Sequence, residues 1–343
     1  MLNYKRKVMR GFRKQLEKKQ VELIKEKEVF NGALGGGLFR NNSYPHILEE
    51  GKEWNNLYPL IRDNVKAYFS NNKIAFWGGK TITPNTLSSQ VCCLNHLFLL
   101  REDKEVVKKV MQTLVGDNLH IQTMEIVNSK KELYNPQYIA FEMVSDEDRL
   151  NEGKPTRGNT CTSIDAFAIA KDNNGKRIMI VIEWKLVEDD SGNKAPDSCT
   201  SNNNKAINSG NKRVLKYKQL INGCNAINDK YKYTECYNSS IFHLPFYELM
   251  RQTLWANINK IDFNADDYLH LNVIPLNNPM RDKKYNCVPS TGIVDGWRKH
   301  LSDFGKKRYI DADPYLIIKA LKDNLLNQYS DLIDYLTKRY YTI

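Results

Sequence analysis

Two apolar stretches decide the fold: Thr162-Ser-Ile-Asp-Ala-Phe-Ala-Ile-Ala170 and Arg177-Ile-Met-Ile-Val-Ile-Glu-Trp-Lys-Leu186. The segment between them, Lys171-Asp-Asn-Asn-Gly-Lys176, is polar and rich in residues that tolerate a positive φ. Such a segment between two apolar runs is typical of a β-hairpin turn. The sequence therefore predicts two strands that pair antiparallel within a sheet.

Three charged residues, Asp165, Glu183 and Lys185, lie inside these apolar strands. Charged side chains are costly there unless they are paired or functional. Pairing about the centre of the turn places Asp165 opposite one of residues 182–184, with facing Cβ atoms roughly 4.5–5.5 Å apart. Since Lys185 follows Glu183 by two residues, both side chains leave the same face of the strand. The pattern predicts two carboxylates and an amine at one end of the hairpin.

These three groups suit the chemistry of a divalent cation. Carboxylate oxygens are typical ligands of Mg²⁺, and we expect Mn²⁺ to substitute for it. Asp165 and Glu183 are the expected metal ligands, and the backbone carbonyl of Trp184 is a third. Lys185 is the expected catalytic residue, because an ammonium group beside the metal can orient the attacking water and balance developing charge. The alternative is a structural, buried ion pair in an ordinary sheet.

The pattern Ile164-Asp165 followed by Glu183-Trp-Lys185 resembles the signature of the PD-(D/E)xK nuclease superfamily. Ile164 stands where the signature has its proline, which takes no part in the chemistry. The resemblance implies a core with the order helix, three strands, helix and strand. It also implies that Asp165, Glu183 and Lys185 form the catalytic set.

The rest of the chain supplies elements in that order. Helical periodicity covers residues 87–114 and 243–259, and strand-like stretches cover 137–144 and 268–276. We therefore expect an α/β fold with a restriction-endonuclease-like αβββαβ core, a mixed central sheet flanked by helices, and extra N- and C-terminal helices. The predicted division is a basic helix and connecting region over 1–84, the nuclease core over 85–290, and a helical C-terminal extension over 291–343.

Further residues resemble a restriction-endonuclease-like bacterial branch of this superfamily. They are Ser88-Ser-Gln90 at the start of the first core helix, Ser163 two residues before Asp165, and Tyr247-Glu-Leu-Met-Arg-Gln252. The resemblance implies that Gln90 lies near the metal, where its neutral side chain would orient rather than bind. Glu142 is either an auxiliary metal ligand or, as the preferred interpretation, a surface carboxylate at a strand end.

Charge points to an acidic partner. The chain has a formal net charge of +11, and its first thirty residues hold ten Lys or Arg against four Glu. Nucleic acid is the commonest partner of such a chain. The alternative for the N-terminal helix is a solvated helix docked by the apolar line Leu2, Met9, Leu16, Leu23 and Phe30. Residues 150–160 and 189–211 are predicted polar loops. The expected phosphate contacts are Lys154 and Arg157 in the first of these loops, and Lys7, Arg10 and Lys14 in the N-terminal helix.

Other features narrow the class of protein. Seven cysteines without CxxC spacing argue against structural zinc and a disulfide framework. The sequence shows no apolar stretch long enough for a bilayer and no secretory leader, so we expect a cytoplasmic protein that does not enter membranes.

The combined prediction is a Mg²⁺-dependent nuclease that hydrolyses DNA, of the restriction type. Two alternatives stay open from the sequence: a non-catalytic nucleic-acid-binding protein of the same fold, and a nuclease acting on RNA or branched DNA. A homodimer is also an open alternative, because cutting of both strands often uses two copies.

Overall fold

The structure is a computed structural model. It describes residues 2–76, 81–127, 136–153, 161–188, 204–233, 239–285, 288, 292–324 and 327–341, with side chains from residue 11 onward and without those of 204–210. Its helices are α1 (Leu2–Glu26), α2 (Arg62–Asn71), α3 (Ser89–Leu97), α4 (Lys104–Val115), α5 (Asn204–Gly223), α6 (Phe246–Asn259), α7 (Gly292–His300), α8 (Asp303–Lys306), α9 (Tyr315–Asp323) and α10 (Ser330–Leu336), which continues as the π-helical turn Thr337–Tyr341.

A six-stranded mixed sheet forms the centre of the molecule. A separate two-stranded hairpin, β1 (Leu38–Phe39) with β2 (Asn42–Ser43), precedes it in the chain. The six strands are β3 (Ile121–Glu125), β4 (Ala140–Met143), β5 (Ile164–Asp172), β6 (Arg177–Trp184), β7 (Asp267–Val273) and β8 (Tyr309–Ala312). Their order is β3-β5-β6-β7-β8, and β4 also pairs with β5. Pairing is antiparallel up to β6 and parallel from β6 through β8, so the predicted mixed sheet is confirmed.

The predicted hairpin forms as expected from its turn. The Asp172 carboxylate accepts hydrogen bonds from the backbone N–H groups of Asn174 and Lys176, both at 2.8 Å. Gly175 has a φ of +78°, a conformation that costs glycine little. Ala166 pairs with Ile182. Continuing this register by one residue brings Asp165 level with Glu183, inside the predicted window.

Both faces of the sheet are covered, which makes its strands almost wholly apolar. One face packs on α2, α3, α4, α9 and α10 through residues such as Ala168, Ile180 and Leu271. The opposite face packs on α5, α6 and α7 through residues such as Phe167 and Val181. Glu183 lies on the face covered by α6, where it contacts Gln252 of that helix.

The N-terminal helix docks through its apolar line, as one of the two interpretations expected. Leu16, Leu23 and Phe30 are fully buried. The side-chain amide of Gln20 donates to the backbone carbonyl of Arg339 at 2.9 Å, which ties α1 to the C-terminal end of the chain. This packing leaves the opposite, basic face of α1 exposed at Lys14.

Several element boundaries were predicted wrongly. The helix expected over 87–114 is two helices, because Asp103 caps α4 by accepting from the N–H of Val106 at 3.1 Å. Strand β3 was not predicted. The C-terminal region was expected to be all helical, but β8 lies within it and joins the central sheet beside β7. Residues 204–211 begin α5 instead of ending a loop.

Among the described residues, no helix is both long enough and apolar enough to cross a membrane.

Three of the buried histidines make the free energy of unfolding depend on pH. Burial lowers the pKa of His96 to about 4, of His270 to about 3 and of His300 to about 4, from an ordinary value of 6.5. The unfolded chain therefore binds more protons between pH 6.5 and about 4, so stability falls as the pH falls through that window. Each group contributes a slope of up to about 1.4 kcal/mol per pH unit.

We expect the substitution His300→Gln to reduce this acid sensitivity. Urea unfolding of wild type and variant at pH 7, 6 and 5 measures the effect. The variant should lose less stability per pH unit than wild type, because one of the three titrating groups is gone. Parallel pH dependences for the two proteins would contradict the assignment of a neutral, buried His300.

Candidate active site

Asp165 and Glu183 occupy neighbouring strands at one end of the hairpin. Asp165 lies at the start of β5, and its carboxylate accepts a hydrogen bond from the backbone N–H of Trp184 at 2.7 Å. Glu183 is 6% exposed and precedes Trp184 on β6. The hairpin therefore brings the two predicted metal-binding carboxylates together, and the backbone of Trp184 lies beside them.

Lys185 forms two ion pairs, and one of them is with Glu183. Its Nζ lies 2.6 Å from Oε1 of Glu183 and 2.6 Å from Oε2 of Glu248. Glu248 comes from α6, which crosses this face of the sheet. The ion pair considered as a structural alternative is thus present, but it belongs to a larger set of charges that converge at the end of the hairpin.

Burial and the charges of neighbouring carboxylates raise the pKa values of Asp165 and Glu183. Burial is the main cause for Asp165, whose pKa lies well above 3.8, and the charges of Glu183 and Glu142 add to it. Burial also raises the pKa of Glu183, although the ammonium of Lys185 opposes the shift. The Glu248 carboxylate behaves differently, because Lys185 and Arg251 outweigh its burial and lower its pKa.

The two predicted auxiliary residues meet each other. Gln90, in the first turn of α3, donates its side-chain amide to Glu142 Oε1 at 2.6 Å, and the hydroxyl of Ser163 donates to Glu142 Oε2 at 2.6 Å. The preferred interpretation of Glu142 as a surface carboxylate is wrong, because β4 lies against β5 and buries the residue to 7% exposure. The amide of Gln90 thus binds a neighbouring carboxylate, and its role near a metal stays a prediction.

The backbone at Glu142 is held in an unusual conformation. Its φ is +49°, a region that costs a non-glycine residue roughly 1–2 kcal/mol. The hydroxyl of Tyr68 accepts from the N–H of Phe141 at 2.8 Å and donates to the carbonyl of Phe141 at 3.0 Å. These bonds stabilise the strand next to the strained residue, which turns its carboxylate toward Asp165.

A cavity of about 460 Å³ opens over these groups. Its wall combines the start of α3, the starts and ends of the two hairpin strands, one face of α6, and Arg13 from the N-terminal helix. The residues that line it include Arg13, Gln90, Glu142, Ser163, Asp165, Glu183, Trp184, Lys185, Glu248, Arg251 and Gln252. All six core residues predicted for the site, the auxiliary pair included, therefore line one cavity.

A second cluster supports the rim of this cavity. The carboxylate of Glu152, with 3% side-chain exposure, accepts hydrogen bonds from Arg251 at 2.9 Å and from the hydroxyls of Tyr217 and Thr162 at 2.6 and 2.8 Å. Arg251 also lies 5.5 Å from the ring centre of Tyr247. Glu152 thus joins α5, α6 and the start of β5, and holds Arg251 at the cavity wall.

The predicted phosphate contacts are only partly described. Lys14 is exposed on α1. Lys154 and Arg157 lie outside the described residues, as does 189–203 of the predicted second loop, and the side chains of Lys7 and Arg10 are likewise not described.

Sequence reasoning did not assign Glu248, Gln252 or Glu152 to the site. A signal for the first two exists, because Glu248 and Gln252 are four residues apart and share one face of a helix with Arg251. Polar residues on the buried face of an otherwise apolar helix indicate a partner across the interface. Glu152 carries no such local signal.

Comparison with family models finds a match over nearly the whole chain. The model of the family described as Restriction Endonuclease associating with ARP matches residues 13–341, nearly the whole chain. No curated protein and no solved structure matches the chain significantly. The matched range includes every cavity-lining residue named above. The chain therefore belongs to this restriction endonuclease family, the one described as Restriction Endonuclease associating with ARP.

Proposed function

We propose that this chain is a divalent-metal-dependent endonuclease that hydrolyses phosphodiester bonds in DNA, with a PD-(D/E)xK-type site on a restriction-endonuclease-like core. The observation that carries the proposal is the convergence of Asp165, Glu183 and Lys185 on one cavity. Three elements of the fold, β5, β6 and α6, meet there. The family match supports the same class of activity.

The donor set fits a hard divalent cation. Asp165 and Glu183 supply carboxylate oxygens, the Trp184 carbonyl is a third candidate ligand, and Glu142 adds negative charge close enough to raise the pKa of Asp165. As the side chains stand, no three His, Cys, Asp or Glu groups among the described residues form a ready metal cluster. Instead, Lys185 neutralises Glu183. A Mg²⁺ ion would relieve the carboxylate repulsion, polarise the phosphoryl group and acidify a bound water.

The chain's own residues would then divide the work. Asp165 and Glu183 would hold the ion, and Glu142 would orient the water around it. The ammonium of Lys185 would position the attacking water and offset the negative charge that develops on the phosphoryl oxygens. Glu248 would keep Lys185 aimed into the cavity, since the two groups are 2.6 Å apart. Glu142, Glu183 and Lys185 are each no more than 8% exposed, and this burial strengthens their interactions.

Basic groups at the rim suit the backbone of DNA. Arg13 lines the cavity, and Lys14 is exposed beside it in sequence. Arg251 lines the opposite wall on α6. Phosphate contacts of this kind fix the position of a nucleic acid without reading its sequence. We assign α1 as one side of the DNA path, and RNA and branched DNA remain outcomes of the test.

The experiment is cleavage of supercoiled plasmid DNA by the purified chain in Mg²⁺, Mn²⁺ or EDTA. The proposal predicts nicked or linear product with either metal and none with EDTA. Single-stranded RNA and four-way junction DNA in the same assay identify the preferred substrate. Nucleic-acid binding without cleavage under every metal condition would contradict the proposal in favour of a binding protein.

A further inference from the structure

A chain of hydrogen bonds runs from Glu183 away from the cavity into the protein interior. The side-chain amide of Gln252 donates to Oε2 of Glu183. Oε1 of Gln252 lies 3.1 Å from Nε2 of His270, and Nδ1 of His270 lies 3.0 Å from the hydroxyl of Thr253. These residues belong to β6, α6 and β7, so the chain crosses from the helix to two strands of the sheet.

The chemistry of the groups fixes the direction of each bond. An ionised carboxylate only accepts, so Gln252 must present its NH₂ group to Glu183 and its oxygen to His270. Nε2 of His270 must therefore carry a proton, and Nδ1 accepts from Thr253. His270 is 1% exposed, and its pKa of about 3 leaves it neutral with a single N–H, as this arrangement requires.

The two oxygens of Glu183 consequently have different partners. Oε1 faces the charge of Lys185, whereas Oε2 faces the buried amide of Gln252. Gln252 is 5% exposed, so its side chain is too buried to move with a bound substrate. Both ends define the orientation of the Gln252 amide, because a half-turn would place its oxygen against the carboxylate and its NH₂ group against the N–H of His270.

We propose that Gln252, oriented by His270, is a positioning residue that fixes the Glu183 carboxylate for metal binding. The inference rests on the proposed function and extends it to residues outside the catalytic set. Residues that hydrogen-bond to metal ligands typically contribute 10–100-fold to metal affinity. Among the described residues, no hydrogen bond joins His270 to Glu183. His270 therefore acts on Glu183 only through Gln252.

The test is Mn²⁺ binding to the metal-free protein, measured by isothermal titration calorimetry. Gln252→Met keeps the length of the side chain but removes the donor, and His270→Phe removes the group that orients it. Each variant should bind Mn²⁺ roughly 10–100-fold more weakly than wild type. The double variant should bind no more weakly than Gln252→Met, because both changes break one chain of bonds. His270→Gln, which keeps an N–H donor, should recover part of the affinity.

Asn259→Leu is the matched control. Asn259 is a fully buried amide on the same helix, and it bonds only to the carbonyl of Trp255 in the described network, at 2.9 Å. Its substitution should lower thermal stability and leave Mn²⁺ affinity unchanged. Cleavage adds a second readout: at saturating Mn²⁺ the rate of Gln252→Met should return to within a few-fold of wild type. A purely structural role would not separate metal affinity from stability in this way.

Three failures are distinguishable. Wild type that binds no Mn²⁺ would overturn the proposed function itself. Wild type that binds Mn²⁺ and cleaves DNA, beside a folded Gln252→Met variant of equal affinity, would overturn only the role of Gln252. Independent, additive losses in the double variant would overturn the role of His270. If Gln252→Met does not fold, as judged by circular dichroism, the His270→Phe and His270→Gln pair decides the question.

Discussion

Lys185→Ala should lower the rate of DNA cleavage at saturating Mg²⁺ by roughly 10²–10⁴-fold, the usual contribution of a positioned proton-transfer or charge-stabilising group. The reason is geometric: Lys185 holds the one ammonium group found between Glu183 and Glu248 within the described part of the cavity. Mn²⁺ affinity should stay equal or rise, because the substitution removes a positive charge that competes for Glu183. Loss of cleavage with retained metal binding identifies a group that acts on the reaction.

Lys171→Ala is the control for that experiment. Lys171 lies at the far end of the same hairpin, where it pairs with Glu125 at 2.9 Å, and its side chain is 41% exposed. Its removal changes the net charge by the same amount without touching the cavity. A Lys185→Ala enzyme that cleaves within tenfold of wild type would move the catalytic amine elsewhere.

Asp165→Asn should have opposite effects on stability and activity. Cleavage and Mn²⁺ binding should be lost, because a metal-binding carboxylate is gone. The metal-free variant should nevertheless be more stable than wild type at pH 8, because burial and the charges of Glu183 and Glu142 disfavour the ionised form of Asp165. Asparagine can still accept the hydrogen bond from Trp184.

The pH dependence of that difference has a definite sign. A carboxyl whose pKa is raised on folding holds more protons in the native state, so its contribution to stability is lost as the pH rises above 3.8 through the raised value. The advantage of Asp165→Asn over wild type should therefore grow with pH. Thermal unfolding in EDTA measures it, and adding Mn²⁺ should raise the melting temperature of wild type alone. A variant that is less stable than wild type at every pH would contradict the repulsion.

The hairpin was predictable, and its register to within one residue, because the causes of both are local. Asp172 and Gly175 specify the turn, and counting outward from the turn places Asp165 opposite one of residues 182–184. The pairing of Ala166 with Ile182 in the structure selects Glu183. The two-residue spacing of Glu183 and Lys185 then fixes their common face. These rules need no knowledge of the rest of the chain, so the grouping of Asp165, Glu183 and Lys185 could be predicted from the sequence.

The surroundings of the site depend on contacts that no local rule supplies. Glu248 reaches Lys185 across 63 residues of sequence, and Gln90 reaches Glu142 across 52. The burial of Glu142 follows from its pairing with β5, which the sequence of β4 alone does not specify. The two interpretations of that residue were therefore separable only in three dimensions.

Short strands were the main elements of the fold that the sequence did not predict. Strand β8 has four residues and β3 has five, and β8 sits in a region of strong helical periodicity. Each acquires its pairing from a longer neighbour, β7 for one and β5 for the other. Propensity over so few residues is a weak signal compared with the hydrogen bonds that an adjacent strand offers. The boundaries of the three predicted regions stay predictions.

The most direct test of the account is diffraction from crystals soaked in Mn²⁺, with the anomalous signal used to locate the ion. The account predicts a peak within coordination distance of the carboxylates of Asp165 and Glu183, on the cavity side of β6, with Lys185 still pointing into the cavity. A cavity without a peak at millimolar Mn²⁺, or a peak bound elsewhere in an enzyme that cleaves DNA, would contradict the central claim.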